Sequence, residues 1–209
     1  MRTIAATGSP VMPSATFYFD LGSPFAYLTA ERLERVLAEP VAWQPVSLGA
    51  LFKLGGRSSW ALGEPEGRRA GIADVEARAQ QYGLAPIRWP DPWPTNYLYA
   101  MRAATYAFQA GLGRAFTLAA FRHSFAHGHD LAIAGHVLEA AEQAGLDPGA
   151  VEQATQDPQI KLALRSATDA AHELGVFGVP TIAVDGELFW GDDRLQDAAD
   201  ALEQRPRGG

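Results

Sequence analysis

Apolar positions along the chain change their spacing repeatedly, and each change marks an element. Residues 16–19, Thr-Phe-Tyr-Phe, form an unbroken β-branched and aromatic run, the pattern of a buried strand. Leu21-Gly22 breaks that run and Ser23-Pro24 follows, a preferred N-cap before a preferred first helical residue, so a helix is predicted from there through Leu33. Residues 40–46 predict a second strand, parallel to the first because a helix connects them. Residues 47–63 are mixed apolar and Gly-rich and read as a surface loop. Pro65 opens a polar helix that ends at Gly83, and the proline-rich residues 87–94 read as an extended, aromatic connector.

Helical spacing then dominates. Thr95 is expected to cap a helix reaching Gln109, and further helices are predicted over residues 114–126, 136–144, 148–156 and 158–174. The period then falls to two. Residues 180–184 and 187–190 read as strands joined by the hairpin dipeptide Asp185-Gly186, followed by a helix over residues 192–203 and a frayed tail. The order is βαβ, a helical block, then ββα.

Composition narrows the class of molecule. The chain has 209 residues, 47% of them hydrophobic and 20% charged, which suits a soluble globular protein with a substantial core. A net charge of −7 argues against nucleic acid or an anionic membrane surface as partner. No apolar stretch has the length of a membrane span. Residues 1–15 lack the apolar core of a signal peptide, so they are expected to be a disordered leader and the protein cytoplasmic. The absence of cysteine excludes disulfides, thiolate metal sites and a dithiol redox cycle of the protein's own.

Candidate chemistry begins at Ser23. A strand feeding a helix through a short turn puts this residue at the positive end of the helix dipole, where an anion is favoured. A thiolate gains most there, since a free thiol has a pKa of about 8.5 and is mostly protonated at neutral pH. With no cysteine in the chain, such a thiolate must arrive with a ligand. Three histidines, His123, His127 and His129, look metal-like, with the first two at i, i+4. No third ligand is evident in the sequence and Gly128 suggests a helix end, so no metal is expected. Gly111-Leu112-Gly113 follows a helix and lacks the third glycine of a dinucleotide fingerprint.

The segments FYFDLGSPFAYL, LGALFK and GVFGVPTIAVDGELFWGDDRL together resemble the 2-hydroxychromene-2-carboxylate isomerases and the related kappa-class glutathione transferases, in the DsbA-like branch of the thioredoxin superfamily. The resemblance runs from about Thr16 to Leu202. It implies an α/β, thioredoxin-like domain made of residues 16–64 and 175–204, with residues 65–174 inserted as an all-helical domain. It further implies glutathione as cosubstrate, with the Ser23 hydroxyl favouring its thiolate, which adds reversibly to an unsaturated aromatic substrate and permits bond rotation or ring opening. Such relatives suggest a homodimer.

The resemblance also distributes roles. Val179-Pro180 falls where the thioredoxin fold places its cis-proline, and the Val179 backbone could pair with a peptide-like cosubstrate as an added strand does; VPT alone equally fits an ordinary strand-opening proline. Lys53 would lie near a carboxylate of the cosubstrate, although a solvated loop lysine fits the residue as well. Asp192 and Asp193 start the last helix and can cap it; in the family the Asp193 position holds the cosubstrate's α-amino group, with Asp192 its neighbour and Arg194 beside them. Arg57 departs from the asparagine common in relatives. It offers donors only, which admits another low-molecular-weight thiol in place of glutathione. Asn96, Tyr97 and Arg102 fall where the insertion faces the cleft and are candidates for substrate contact or for plain capping and surface charge. Phe25, Phe52, Trp60, Trp89 and Trp93 are candidates for an aromatic-substrate pocket or for core filling.

Three functions are therefore carried forward. The first is a thiol-dependent cis-trans isomerase of unsaturated aromatic 2-oxo or 2-hydroxy acids, with a small aromatic molecule as its partner. The others are a kappa-like glutathione transferase and a non-catalytic DsbA-like binding module.

Overall fold

The computed structural model describes residues 14–205. Most of the expected leader, and the tail beyond Arg205, lie outside the described residues. Strand β1 (Ala15–Phe19) is followed by α1 (Pro24–Ala30), α2 (Leu33–Val36), β2 (Val41–Pro45) and α3 (Leu48–Leu54). A 3₁₀ turn at Trp60–Leu62 leads into α4 (Pro65–Gln81). Five helices follow: α5 (Leu98–Gln109), α6 (Gly113–Phe125), α7 (Ala134–Gln143), α8 (Pro148–Gln156) and α9 (Pro158–Glu173). The chain closes with β3 (Thr181–Val184), β4 (Glu187–Trp190), a 3₁₀ turn at Asp192–Arg194 and α10 (Leu195–Glu203).

The four strands make one sheet in the order β2-β1-β3-β4. β1 runs parallel to β2, pairing Phe17 with Trp43, and antiparallel to β3, pairing Phe17 with Ile182. Both of its faces are covered, which is why its sequence is apolar without alternation. Phe17 and Phe19 point into the larger core, where Phe17 meets Trp43 edge-on at 5.0 Å and Phe19 reaches Phe108 and Phe121. Tyr18 points to the opposite face and joins Leu51 of α3 and Ala171 of α9 in a second cluster. Because β1 and β3 are antiparallel neighbours, the loop leaving β1 and the loop entering β3 meet at one end of the sheet. That end carries the site.

The βαβ…ββα order with a helical block between stands as expected. Three local readings need correction. Residues 47–63 are not an open loop: Ser47 caps α3 by accepting a hydrogen bond from the Ala50 N–H at 3.4 Å, and Ser59 caps the 3₁₀ turn. Seven residues containing Gly49 are too short to display a helical period. The first helix, predicted to run through Leu33, breaks at Glu31-Arg32 into α1 and α2. Thr95 also does not cap α5. Its hydroxyl donates to Asp130 Oδ1 at 2.6 Å, and Asn96 Oδ1 takes the Leu98 N–H instead. The Asp185-Gly186 turn has positive φ at both residues, 49° and 88°, the geometry that a two-residue hairpin of this hand requires.

Candidate active site

Ser23 is buried and caps α1, its Oγ accepting from the Ala26 N–H at 3.2 Å while Pro24 occupies the first helical position. That bond leaves the hydroxyl proton free to be donated. It points at the carbonyl oxygen of Val179, 3.4 Å away, at the long limit of a hydrogen bond. The Val179–Pro180 peptide is cis.

Asp20, one turn earlier, ties the loop together. Its Oδ1 accepts from the Gly22 N–H at 2.8 Å and its Oδ2 from the Leu48 N–H at 2.7 Å, so a single carboxylate joins the start of α1 to the start of α3. Burial nevertheless pushes its carboxyl up to about 6, against the pull of those two N–H groups. Sequence reasoning missed this residue. Its only signal was an acidic side chain closing an otherwise apolar strand.

Asp20, Ser23 and Val179 border a cavity of about 630 Å³. Its walls are mainly apolar and aromatic: Phe25, Phe52, Trp60, Trp93, Tyr97 and Trp190. Tyr97 comes from the residues before α5, and its ring lies directly over Gly22, where a Cβ would approach Tyr97 Cδ2 to 2.4 Å. Its hydroxyl is buried without a hydrogen-bond partner among the described residues, and burial pushes the phenol up to about 12. Met101 of α5 accepts the Leu21 N–H on its sulfur at 3.2 Å, a second contact between the helical block and the β1–α1 loop.

Of the residues singled out in the sequence, Ser23, Phe25, Asn96, Tyr97 and Val179 border this cavity, as do Phe52, Trp60 and Trp93. Trp89 stands behind Trp93, 4.6 Å between ring centroids, and donates its indole N–H to Glu76. Lys53, Arg57, Arg102, Pro180, Asp192 and Asp193 do not border the cavity. Lys53 and Arg57 are exposed beyond Phe52, and the Arg57 guanidinium stacks 4.4 Å from the Phe177 ring, which in turn packs on Trp190. Asp192 is buried. It receives Arg78 Nη1 at 2.9 Å and the Tyr82 hydroxyl at 2.8 Å, and burial pushes its carboxyl above the usual range in spite of both. Asp193 is exposed, 3.6 Å from the same guanidinium.

The loop entering β3 thus faces the capped start of α1 at one end of a four-stranded sheet of order β2-β1-β3-β4, with Ser23 between them. The sequence matches the DSBA-like thioredoxin domain over residues 15–203, and the chain belongs to that family. Within it, the chain is 29% identical over 183 residues to a 2-hydroxychromene-2-carboxylate isomerase of Sphingobium xenophagum, a match covering 86% of this chain and 92% of the relative. A protein of the same name from Pseudomonas putida is 27% identical over 192 residues, covering 86% and 89%. The solved structure of a selenomethionine 2-hydroxychromene-2-carboxylate isomerase superposes with a TM-score of 0.80 at 24% identity, covering 91% of this chain and 94% of that one, and supports the fold. The resemblance drawn from the sequence segments therefore holds. Among the described residues, no helix is long and apolar enough to cross a membrane.

Proposed function

We propose that the protein is a thiol-dependent isomerase, using glutathione or a similar small thiol to rearrange an unsaturated aromatic 2-oxo or 2-hydroxy acid of the 2-hydroxychromene-2-carboxylate kind. The observation that carries this reading is the buried Ser23 hydroxyl, oriented by the Ala26 N–H and held at the edge of an aromatic cavity by one long bond to Val179. The names of the two bacterial relatives support it.

The residues present fit such a cosubstrate. Among the described residues no lysine or arginine lines the cavity, so the carboxylates of a tripeptide thiol belong at its rim, near Lys53 and Arg57, with the sulfur inside. Glutathione, when bound, supplies a sulfur nucleophile. Ser23 Oγ–H exchanges its weak bond to the Val179 carbonyl for a shorter, charge-assisted one to an anion. Asp20, with its carboxyl near 6, is ionised at neutral pH and can accept a proton in the same cavity. Phe25, Trp60, Trp93 and Tyr97 enclose a flat apolar substrate and keep water from it, and the unpartnered Tyr97 hydroxyl can donate to an oxygen of that substrate.

The test is the ultraviolet thiolate absorbance of glutathione titrated against pH with the wild-type protein and with Ser23→Ala. A bound thiol whose pKa falls below its solution value, an effect lost in the variant, is expected. Equal titration curves in the two proteins, or no binding, would overturn the reading.

A further inference from the structure

A group of imidazoles lies at the junction of α6 and α7, outside the cavity. Gly128, at φ 77°, reverses the chain after α6, and the backbone closes tightly there: His127 N–H donates to Arg122 O at 3.0 Å, Gly128 N–H to Ser124 O at 3.0 Å and His129 N–H to His123 O at 2.9 Å. This turn folds His129 back over His123, with their Nδ1 atoms 3.3 Å apart. From α7, Glu139 Oε2 stands 3.9 Å from His123 Nδ1, and the three ligand atoms all lie within 4.8 Å of one another.

That spacing has a chemical meaning. A tetrahedral zinc ion bound at about 2.0–2.1 Å by two nitrogens separates them by about 3.3–3.4 Å. We propose that His123 Nδ1, His129 Nδ1 and Glu139 Oε2 are three ligands of a divalent, imidazole-preferring cation of the zinc type, with water completing the tetrahedron. Glu139 is exposed, 3.9 Å from His123 Nδ1, and rotation of its side chain would bring it in to ligand distance.

The surroundings are arranged as such ligands require. His123 Nε2 is 3.2 Å from Gln143 Oε1, and donating its proton there leaves Nδ1 with the lone pair that a metal needs. His136 donates Nδ1–H to the Asp130 carbonyl at 2.8 Å and stacks on His129 at 4.6 Å between centroids, which fixes the plane of that ring. The missing third ligand of the sequence is thus supplied by a helix that begins after the histidine turn. The site also reaches the cavity wall: Asp130, next to His129, accepts the Thr95 hydroxyl, and Thr95 borders the cavity. A bound cation would brace that wall without entering the chemistry at Ser23.

Zinc titrated calorimetrically into the full chain, chelator-treated and free of any histidine tag, tests the proposal. The wild type should bind one equivalent and gain thermal stability with it. His172, on α9, is the histidine outside the group, and His172→Gln should bind as the wild type does. Gln143→Ala should weaken binding about 10- to 100-fold, and His129→Gln and the surface change Glu139→Gln by more than that. Cobalt should give a visible absorption of tetrahedral strength in the wild type that His129→Gln loses. Absence of stoichiometric zinc binding, or equal affinity in the wild type and Glu139→Gln, overturns the proposal. Glu139→Gln keeps the decision independent of any folding defect in the histidine variants.

Discussion

Ser23 Oγ and the carbonyl oxygen of Val179 lie 3.4 Å apart although 156 residues separate them in sequence. The antiparallel pairing of β1 with β3 is what brings the two loops together. The hydroxyl is thereby held between the 3.2 Å bond it accepts from the Ala26 N–H and the longer one it donates.

Ser23→Ala should therefore act differently on stability and on chemistry. Losing the cap costs about 1 kcal/mol of folding stability. Turnover should fall by about 10²- to 10³-fold, the usual effect of removing one donor from a developing or bound anion. Urea unfolding and steady-state rates separate the two. A variant with unchanged turnover and a lowered denaturation midpoint would make Ser23 a cap and nothing more.

Asp20 makes stability depend on pH in the direction opposite to an ordinary paired carboxylate. The unfolded chain ionises near 3.8 and the folded chain near 6, so the folded state binds more protons between those values. Stability attributable to this group is full below about pH 4, declines by about 3 kcal/mol as the pH rises to about 6, and is level above. Subtracting the urea-derived stability of Asp20→Asn from that of the wild type, from pH 4 to 7.5, isolates the slope. A flat difference would place the Asp20 carboxyl in the normal range.

Gly22 admits no side chain while Tyr97 keeps its position. Gly22→Ala should destabilise by about 1–3 kcal/mol, the range for overpacking. In a Tyr97→Ala background the same change should cost less than about 0.5 kcal/mol, a strongly non-additive cycle. Additive costs would mean that the strain is relieved elsewhere.

Arg78 on α4 neutralises the buried Asp192 at the far end of the chain. Arg78→Met strands that carboxylate and should cost about 3 kcal/mol, much of it restored in Arg78→Met/Asp192→Asn. A single variant as stable as the wild type would show that Tyr82 alone suffices.

Much of the architecture was written locally. The apolar run of β1, the Ser23-Pro24 cap, the Asp185-Gly186 turn and the Asp157-Pro158 helix start each act within a few residues, and each can be read from the sequence. The break at Glu31-Arg32 carries no glycine or proline to announce it, and α3 is shorter than the window that reveals a helix. The site contains both kinds of information. Ser23 is visible because its capping role is local. Asp20 is not, because its meaning depends on Leu48, and the environment of Asp192 depends on residues 110 and 114 positions away.

The contact between Gly22 and Tyr97 has a consequence for how such a molecule can diversify. The Ser23 hydroxyl stands at the start of α1, just beyond the sheet, whereas Trp93 and Tyr97 belong to the segment leading into the helical block. If Ser23 acts as proposed, its role and the shape of the surrounding wall are encoded on separate stretches of chain, free to drift apart under different pressures. At one bare α-carbon they interlock, and there a lineage that enlarges one partner must remodel the other in the same step.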